Sequence, residues 1–118
     1  MNLSRISLYV VCGVLAFLLT GCSRNQGPAR TIKVVMKKYA IDPAEIRVRQ
    51  DEDVMLEVST ADVQHGFDVP DLNVSESIQP GRDATFRLPT DRKGTFTVEC
   101  GVICGPKHDQ MRGQVIVE

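Results

Sequence analysis

The chain has 118 residues, 14 basic against 15 acidic side chains, a formal net charge of −1 and no tryptophan. That length holds one domain. The near-neutral balance leaves no electrostatic footprint for nucleic acid, and no paired carboxylates, nucleophile with base, or phosphate-cradling loop marks a catalytic centre.

The first element is an apolar stretch from Leu8 to Leu19, preceded by Arg5 and too short for the ~20 residues that span a bilayer. It closes on Leu19-Thr20-Gly21-Cys22. The pattern resembles a bacterial lipoprotein signal peptide, which implies acylation of the Cys22 thiol, cleavage before it, and loss of residues 1–21 together with Cys12. An ordinary cleaved signal peptide with an incidental cysteine is the competing reading. Residues 22–30 then hold the lipid-anchored cysteine and a polar linker, Ser23 to Arg30, that reaches at most about 26 Å when extended. The expected location is a bacterial cell membrane, with the domain in the periplasm or otherwise outside the cytoplasmic membrane. Arg24, Arg30, Lys33, Lys37 and Lys38 lie near the anchor and read as a solvated face, with anionic lipid as the alternative partner.

Residues 31–118 read as a single all-β domain. Strand-like runs alternate with turns: Thr31 to Lys37, Glu45 to Arg49, Val54 to Thr60, Asp83 to Leu88, Thr95 to Glu99 and Gln114 to Glu118. Val54, Leu56 and Val58 share one face, as do Phe86 with Leu88 and Phe96 with Val98, so these strands are half buried. Short strands with regular turn signals predict a β-sandwich or barrel.

The chemistry gathers between the last two strands, in Cys100-x3-Cys104-x3-His108-x2-Met111. Gly101, Gly105, Pro106 and Gly113 argue against a helix there, so four donors lie on a loop whose ends are fixed by strands. With the leader removed and Cys22 acylated, Cys100 and Cys104 are the free cysteines of the domain. Two thiols in an oxidising compartment read first as a disulfide. Residues four apart close a small loop with little entropic benefit, however, and a disulfide has no use for the neighbouring histidine and methionine. A soft sulfur and nitrogen donor set selects copper over Mg²⁺ or Ca²⁺. A structural zinc site could use two cysteines and two histidines, but has no role for Met111. The second histidine, His65, is remote in sequence; strands distant in sequence can end at one pole of a sandwich, which would bring it to the loop.

His65-Gly66-Phe67-Asp68-Val69-Pro70, then Pro80-Gly81, then Cys100-x3-Cys104-Gly105-x2-His108-x2-Met111-x-Gly113 resembles the copper-binding domain of bacterial cytochrome c oxidase subunit II, over roughly Thr31 to Glu118. The resemblance implies a cupredoxin-type Greek-key β-sandwich with a dinuclear copper centre, CuA. It implies that Cys100 and Cys104 bridge two copper ions, His65 and His108 supply one imidazole each, Met111 the thioether and Val102 a backbone carbonyl. Many members have Glu at the Val102 place, but a main-chain contact does not depend on the side chain. Members also carry tryptophans near the first histidine. Here Phe67 stands in that region and is read as packing that shields the site, with Asp68 and Asp109 read as solvated.

The implied function is single-electron transfer at the membrane surface, from a cytochrome c-like donor to a membrane oxidase or another redox acceptor. In the family the oxygen chemistry belongs to a different, haem-bearing subunit. Two alternatives stay open. A mononuclear blue copper site could use His65, Cys104, His108 and Met111, leaving Cys100 without a role. A copper-binding lipoprotein could instead carry or deliver the metal, with no electron-transfer partner.

Overall fold

The computed structural model of the protein describes Gly27 and residues 29–118. The apolar stretch, Cys12 and Cys22 lie outside the described residues, and with them the expected signal peptide and lipid anchor. Nine strands follow one another: β1 (Arg30–Lys37), β2 (Ala40–Asp42), β3 (Glu45–Val48), β4 (Val54–Thr60), β5 (His65–Val69), β6 (Val74–Ile78), β7 (Ala84–Arg87), β8 (Gly94–Glu99) and β9 (Arg112–Val117). Two single 3₁₀ turns, Pro70–Leu72 and His108–Gln110, interrupt the connections. No helix among the described residues is long and apolar enough to cross a membrane.

The strands form two sheets, one ordered β2-β1-β4-β7 and the other β3-β9-β8-β5-β6. The chain crosses between sheets five times, at β2 to β3, β3 to β4, β4 to β5, β6 to β7 and β7 to β8, and β1 pairs parallel with β4 and β3 parallel with β9. Alternation drives this architecture. In β4 the buried residues are Val54, Leu56 and Val58, every second position, as a strand with one face on a core requires. Val34, Met36, Leu56 and Val58 from one sheet meet Ile46, Phe67, Val98 and Val115 from the other in one apolar core. The rings of Phe67 and Phe86, on opposite sheets, approach to 5.7 Å between centroids at 54°, a tilted aromatic pair.

All six predicted strands are present, Val54–Thr60 with unchanged bounds and the others with an end moved by one or two residues. Three others carry no period-2 signal. β2 is only three residues long. In β5, His65, Gly66, Phe67 and Val69 are all buried, because one face meets the core and the other is covered by the ligand loop. β6, Val-Ser-Glu-Ser-Ile, lies at a sheet edge and is buried only at its two ends.

Register fixes the poles. Arg30 pairs with Val54 and Met36 with Thr60, so β1 starts at one end of the sandwich and finishes at the other. At that second end β4 stops and β5 opens with His65. β8 and β9 turn there too, with Glu99 opposite Arg112, so the loop carrying Cys100 to Met111 closes over the same pole. Packing should therefore dominate stability over surface charge. Leu56→Ala, at a fully buried position, is expected to cost about 2–5 kcal/mol in chemical denaturation. Lys33→Ala, which loses an exposed 3.8 Å pair to Glu57, is expected to cost about 0–1 kcal/mol.

Candidate metal centre

Three chain segments meet at this pole. His65, the first residue of β5, is 0% exposed; Cys100 follows directly on β8; Cys104 and Met111 are buried on the loop beyond it. The Cys100 and Cys104 sulfurs stand 3.6 Å apart as free thiols, well beyond the ~2.05 Å of a disulfide. Cys100 Sγ lies 3.8 Å from His65 Nδ1, and Cys104 Sγ lies 4.0 Å from Met111 Sδ. The Cys100 thiol donates to the Val102 carbonyl at 3.0 Å. Donor atoms of His65, Cys100 and Cys104 fall within 4.8 Å of one another. His108 does not join that group. It opens the His108–Gln110 turn, and its Nδ1 is buried without any hydrogen-bond partner. Among the described residues no other buried side-chain nitrogen or oxygen is left in that state, and an unpaired buried polar atom is costly unless something binds it.

The orientation of His65 is set by a residue the sequence reading passed over. Asp62 Oδ1 accepts from His65 Nε2 at 2.7 Å. The same carboxylate accepts the Val63 N–H at 2.7 Å on Oδ1 and the Lys38 N–H at 2.7 Å on Oδ2. The Lys38 amide first of all, then the Val63 amide and the His65 ring, hold the Asp62 carboxyl well below the ordinary carboxylate range, against partial desolvation. An ionised carboxylate only accepts, so Nε2 is the ring nitrogen that donates to Asp62, and the ring turns its Nδ1 edge toward Cys100. A metal-ligating histidine whose other nitrogen is held by a carboxylate is the usual arrangement around protein-bound metals. The sequence signal was there as Asp62-x2-His65, acidic and three residues from the imidazole, but no periodicity draws attention to it.

The backbone of β5 comes unusually close to the ligand loop. A Cβ on Gly66 would stand 2.9 Å from the Gly101 nitrogen and 3.0 Å from that of Val102, distances that only a glycine tolerates. This approach explains why the residue after His65 has no side chain. One position further along, Asp68 differs from its expected solvated state. It is half-buried, accepts from the Ser75 hydroxyl at 3.1 Å, and its carboxylate stands where a Gly101 side chain would be. Asp109 is exposed as expected, and Phe67 is completely buried beneath the site.

These donors suit a thiophilic metal. Two buried thiols, a thioether, an imidazole turned inward by a carboxylate and a second imidazole with an orphaned nitrogen match the soft ligands that select copper. A two-sheet β-sandwich that gathers sulfur and nitrogen donors on the loop between its last two strands, with a histidine from a distant strand, is a cupredoxin-type domain. Comparison with known proteins agrees. The family model for the cupredoxin-like domain matches residues 9–117, and the chain belongs to that family. It is 30% identical to cytochrome c oxidase subunit 2 of Thermus thermophilus over 75% of this chain and 65% of that protein. It is 29% identical to nitrous-oxide reductase of Cupriavidus necator over 84% of this chain and 16% of the enzyme. The fold superposes on the periplasmic domain of subunit II of cytochrome oxidase of Bradyrhizobium japonicum with a TM-score of 0.69, at 22% identity, covering 79% of this chain and 87% of that domain. The chain thus spans 65% or less of these two curated relatives.

Burial, followed by the neighbouring Cys100 sulfur, pushes the Cys104 thiol up to about 11. At neutral pH that sulfur is a protonated thiol, and a metal must displace the proton to bind. Apparent metal affinity is therefore expected to rise with pH, about tenfold per unit for each proton released. Copper titrations at pH 6, 7 and 8 with proton-release measurement check this, and affinity independent of pH would contradict thiolate ligation.

Proposed function

We propose that the domain is a copper-binding electron-transfer module with a dinuclear, CuA-type centre. Cys100 and Cys104 would bridge the ions, His65 and His108 would bind one ion each through Nδ1, and Met111 and the Val102 carbonyl would complete the set. The observation that carries this reading is the central place of Cys100, its sulfur being 3.6 Å from Cys104 Sγ and 3.8 Å from His65 Nδ1. A mononuclear site needs a single thiolate and gives that second buried sulfur nothing to do. Bound there, a copper pair would supply one-electron transfer, with the electron shared over both ions.

The chain's own contribution is a donor set held before metal arrives. Asp62 holds the His65 ring, the sheet fixes both ends of the loop, and the Gly66 approach limits how far the loop can lift. Ligands that stay in place through a change of oxidation state keep the reorganisation cost of electron transfer small. Above the buried sulfurs, Val102 is half-buried and Ile103 is 81% exposed, so the loop offers an uncharged tip to a redox partner. The donor is read as cytochrome c-like and the acceptor as a membrane oxidase or another redox protein. That reading is supported by the oxidase subunit among the relatives.

The module is further proposed to be exported and lipid-anchored through Cys22. The donors lie at the pole opposite the start of β1, about 20 Å along the strand, so a tether at the N-terminus would leave the metal pole facing away from its attachment point. Cys22→Ala is expected to abolish labelling by a fatty-acid probe and detergent-phase partition. Wild-type protein that takes no label would refute the anchor.

Two cysteine variants test the centre. Cys104→Ser is expected to destroy the copper site, and Cys100→Ser to lower the copper content from two ions per chain and change the spectrum. An unaltered spectrum and affinity in Cys100→Ser would favour a mononuclear site. Transfer is separable from delivery on one preparation: the loaded domain should be reduced rapidly by reduced cytochrome c or a comparable donor. Slow reduction by every donor, with fast copper loss to an apo-acceptor protein, would establish a carrier instead.

A further inference from the structure

We propose that the turn between β1 and β2, Lys38 with Tyr39, is a clamp that positions both halves of the metal centre, and that Tyr39 is its working side chain. The inference deepens the copper reading above and rests on it for its functional meaning, though the clamp itself is a property of the metal-free chain.

The turn touches each ligand-bearing segment by a separate contact. On one side the Lys38 N–H donates to Asp62 Oδ2 at 2.7 Å, and Asp62 holds His65 through Oδ1. On the other side, the Tyr39 ring lies against Gly105, the residue that follows Cys104. A Cβ on Gly105 would run into the Tyr39 hydroxyl, with Cε1 and Cζ both at 3.2 Å. Tyr39 is itself half-buried and packed on the apolar core, so its ring is a fixed wall. His65 and Cys104 sit on different strands and connections, and this one turn spans the gap between them.

The two contacts act on different degrees of freedom. The carboxylate bridge sets the rotation of the His65 ring, whereas the Tyr39 ring blocks outward movement of the loop at Gly105 and so keeps Cys104 Sγ within reach of Cys100. The opposite side of the loop is already restrained at Gly101 and Val102 by Gly66. Without Tyr39, the loop would be pinned beside Cys100 and loose beside Cys104. Tyr39 is thus a positioning residue: it acts on copper only through the Cys104 segment.

The decisive variants are Tyr39→Ala and Tyr39→Phe, with Tyr39→Leu as a substitute if the alanine variant does not fold. The first readout uses metal-free, reduced protein: the rate at which each cysteine is alkylated, resolved by mass spectrometry, alongside amide exchange in β4. Tyr39→Ala is expected to accelerate Cys104 alkylation about tenfold through local opening, with Cys100 and β4 exchange little changed and Tyr39→Phe close to the parent. The second readout is copper affinity and the visible and paramagnetic resonance spectra of the loaded domain. Affinity should fall about 10-fold or more in Tyr39→Ala, with altered spectra, and recover in Tyr39→Phe. An unchanged Cys104 rate, or equal acceleration of both cysteines with loss of β4 protection, would overturn the clamp. If the parent bound no copper, the alkylation result would still decide the clamp while the copper reading fell separately.

Discussion

The close passage of β5 beneath the ligand loop is the constraint on which the site depends. His65 comes from an interior strand of one sheet and the sulfur donors from a loop beyond the neighbouring strand, so nothing in local sequence brings them together. The two are brought into register because Gly66 lets its backbone come against the Gly101 and Val102 amides, with Asp68 supporting Gly101 from the next outward position. A side chain at Gly66 would push the loop away from the strand that carries His65. The separation of Cys100 Sγ and His65 Nδ1 would then open.

The electrostatic design follows from burial. The cluster sits under the loop with its sulfurs away from water, and a buried thiol resists ionisation. Burial holds the Cys104 sulfur as a thiol in the metal-free chain, and the group held as an anion at the rim is Asp62. That charge accepts hydrogen bonds from Lys38, Val63 and His65 and stays partly open to solvent. The arrangement favours binding of a soft cation in exchange for protons. It also stores orientation in hydrogen bonds that metal binding has no need to break.

Much of this was legible in the sequence, for identifiable reasons. Strands with one face on the core, such as Val54–Thr60, show a clear period of two, and the donor spacing from Cys100 to Met111 is local enough to be read directly. β5 and β6 were not legible, since one is covered on both faces and the other is an edge strand with polar positions between its buried ends. The parallel pairing of β1 with β4 could not be read either, because nothing in a strand's own sequence names its neighbour. Among site residues, the donors carried their own chemical signature. The residues that hold them did not: Asp62, Gly66 and Tyr39 are ordinary side chains whose roles appear only when distant segments lie together.

A crystal structure of the copper-loaded domain, with anomalous scattering measured at the copper edge, tests the preset centre most directly. Two copper peaks are expected, each bonded to both the Cys100 and Cys104 sulfurs, one joined by His65 Nδ1 and the other by His108 Nδ1. The donor segments should move by less than about 1 Å from their metal-free positions, with the Asp62–His65 hydrogen bond intact. A single copper peak, or a ligand loop rebuilt around the metal with His65 released from Asp62, would contradict it.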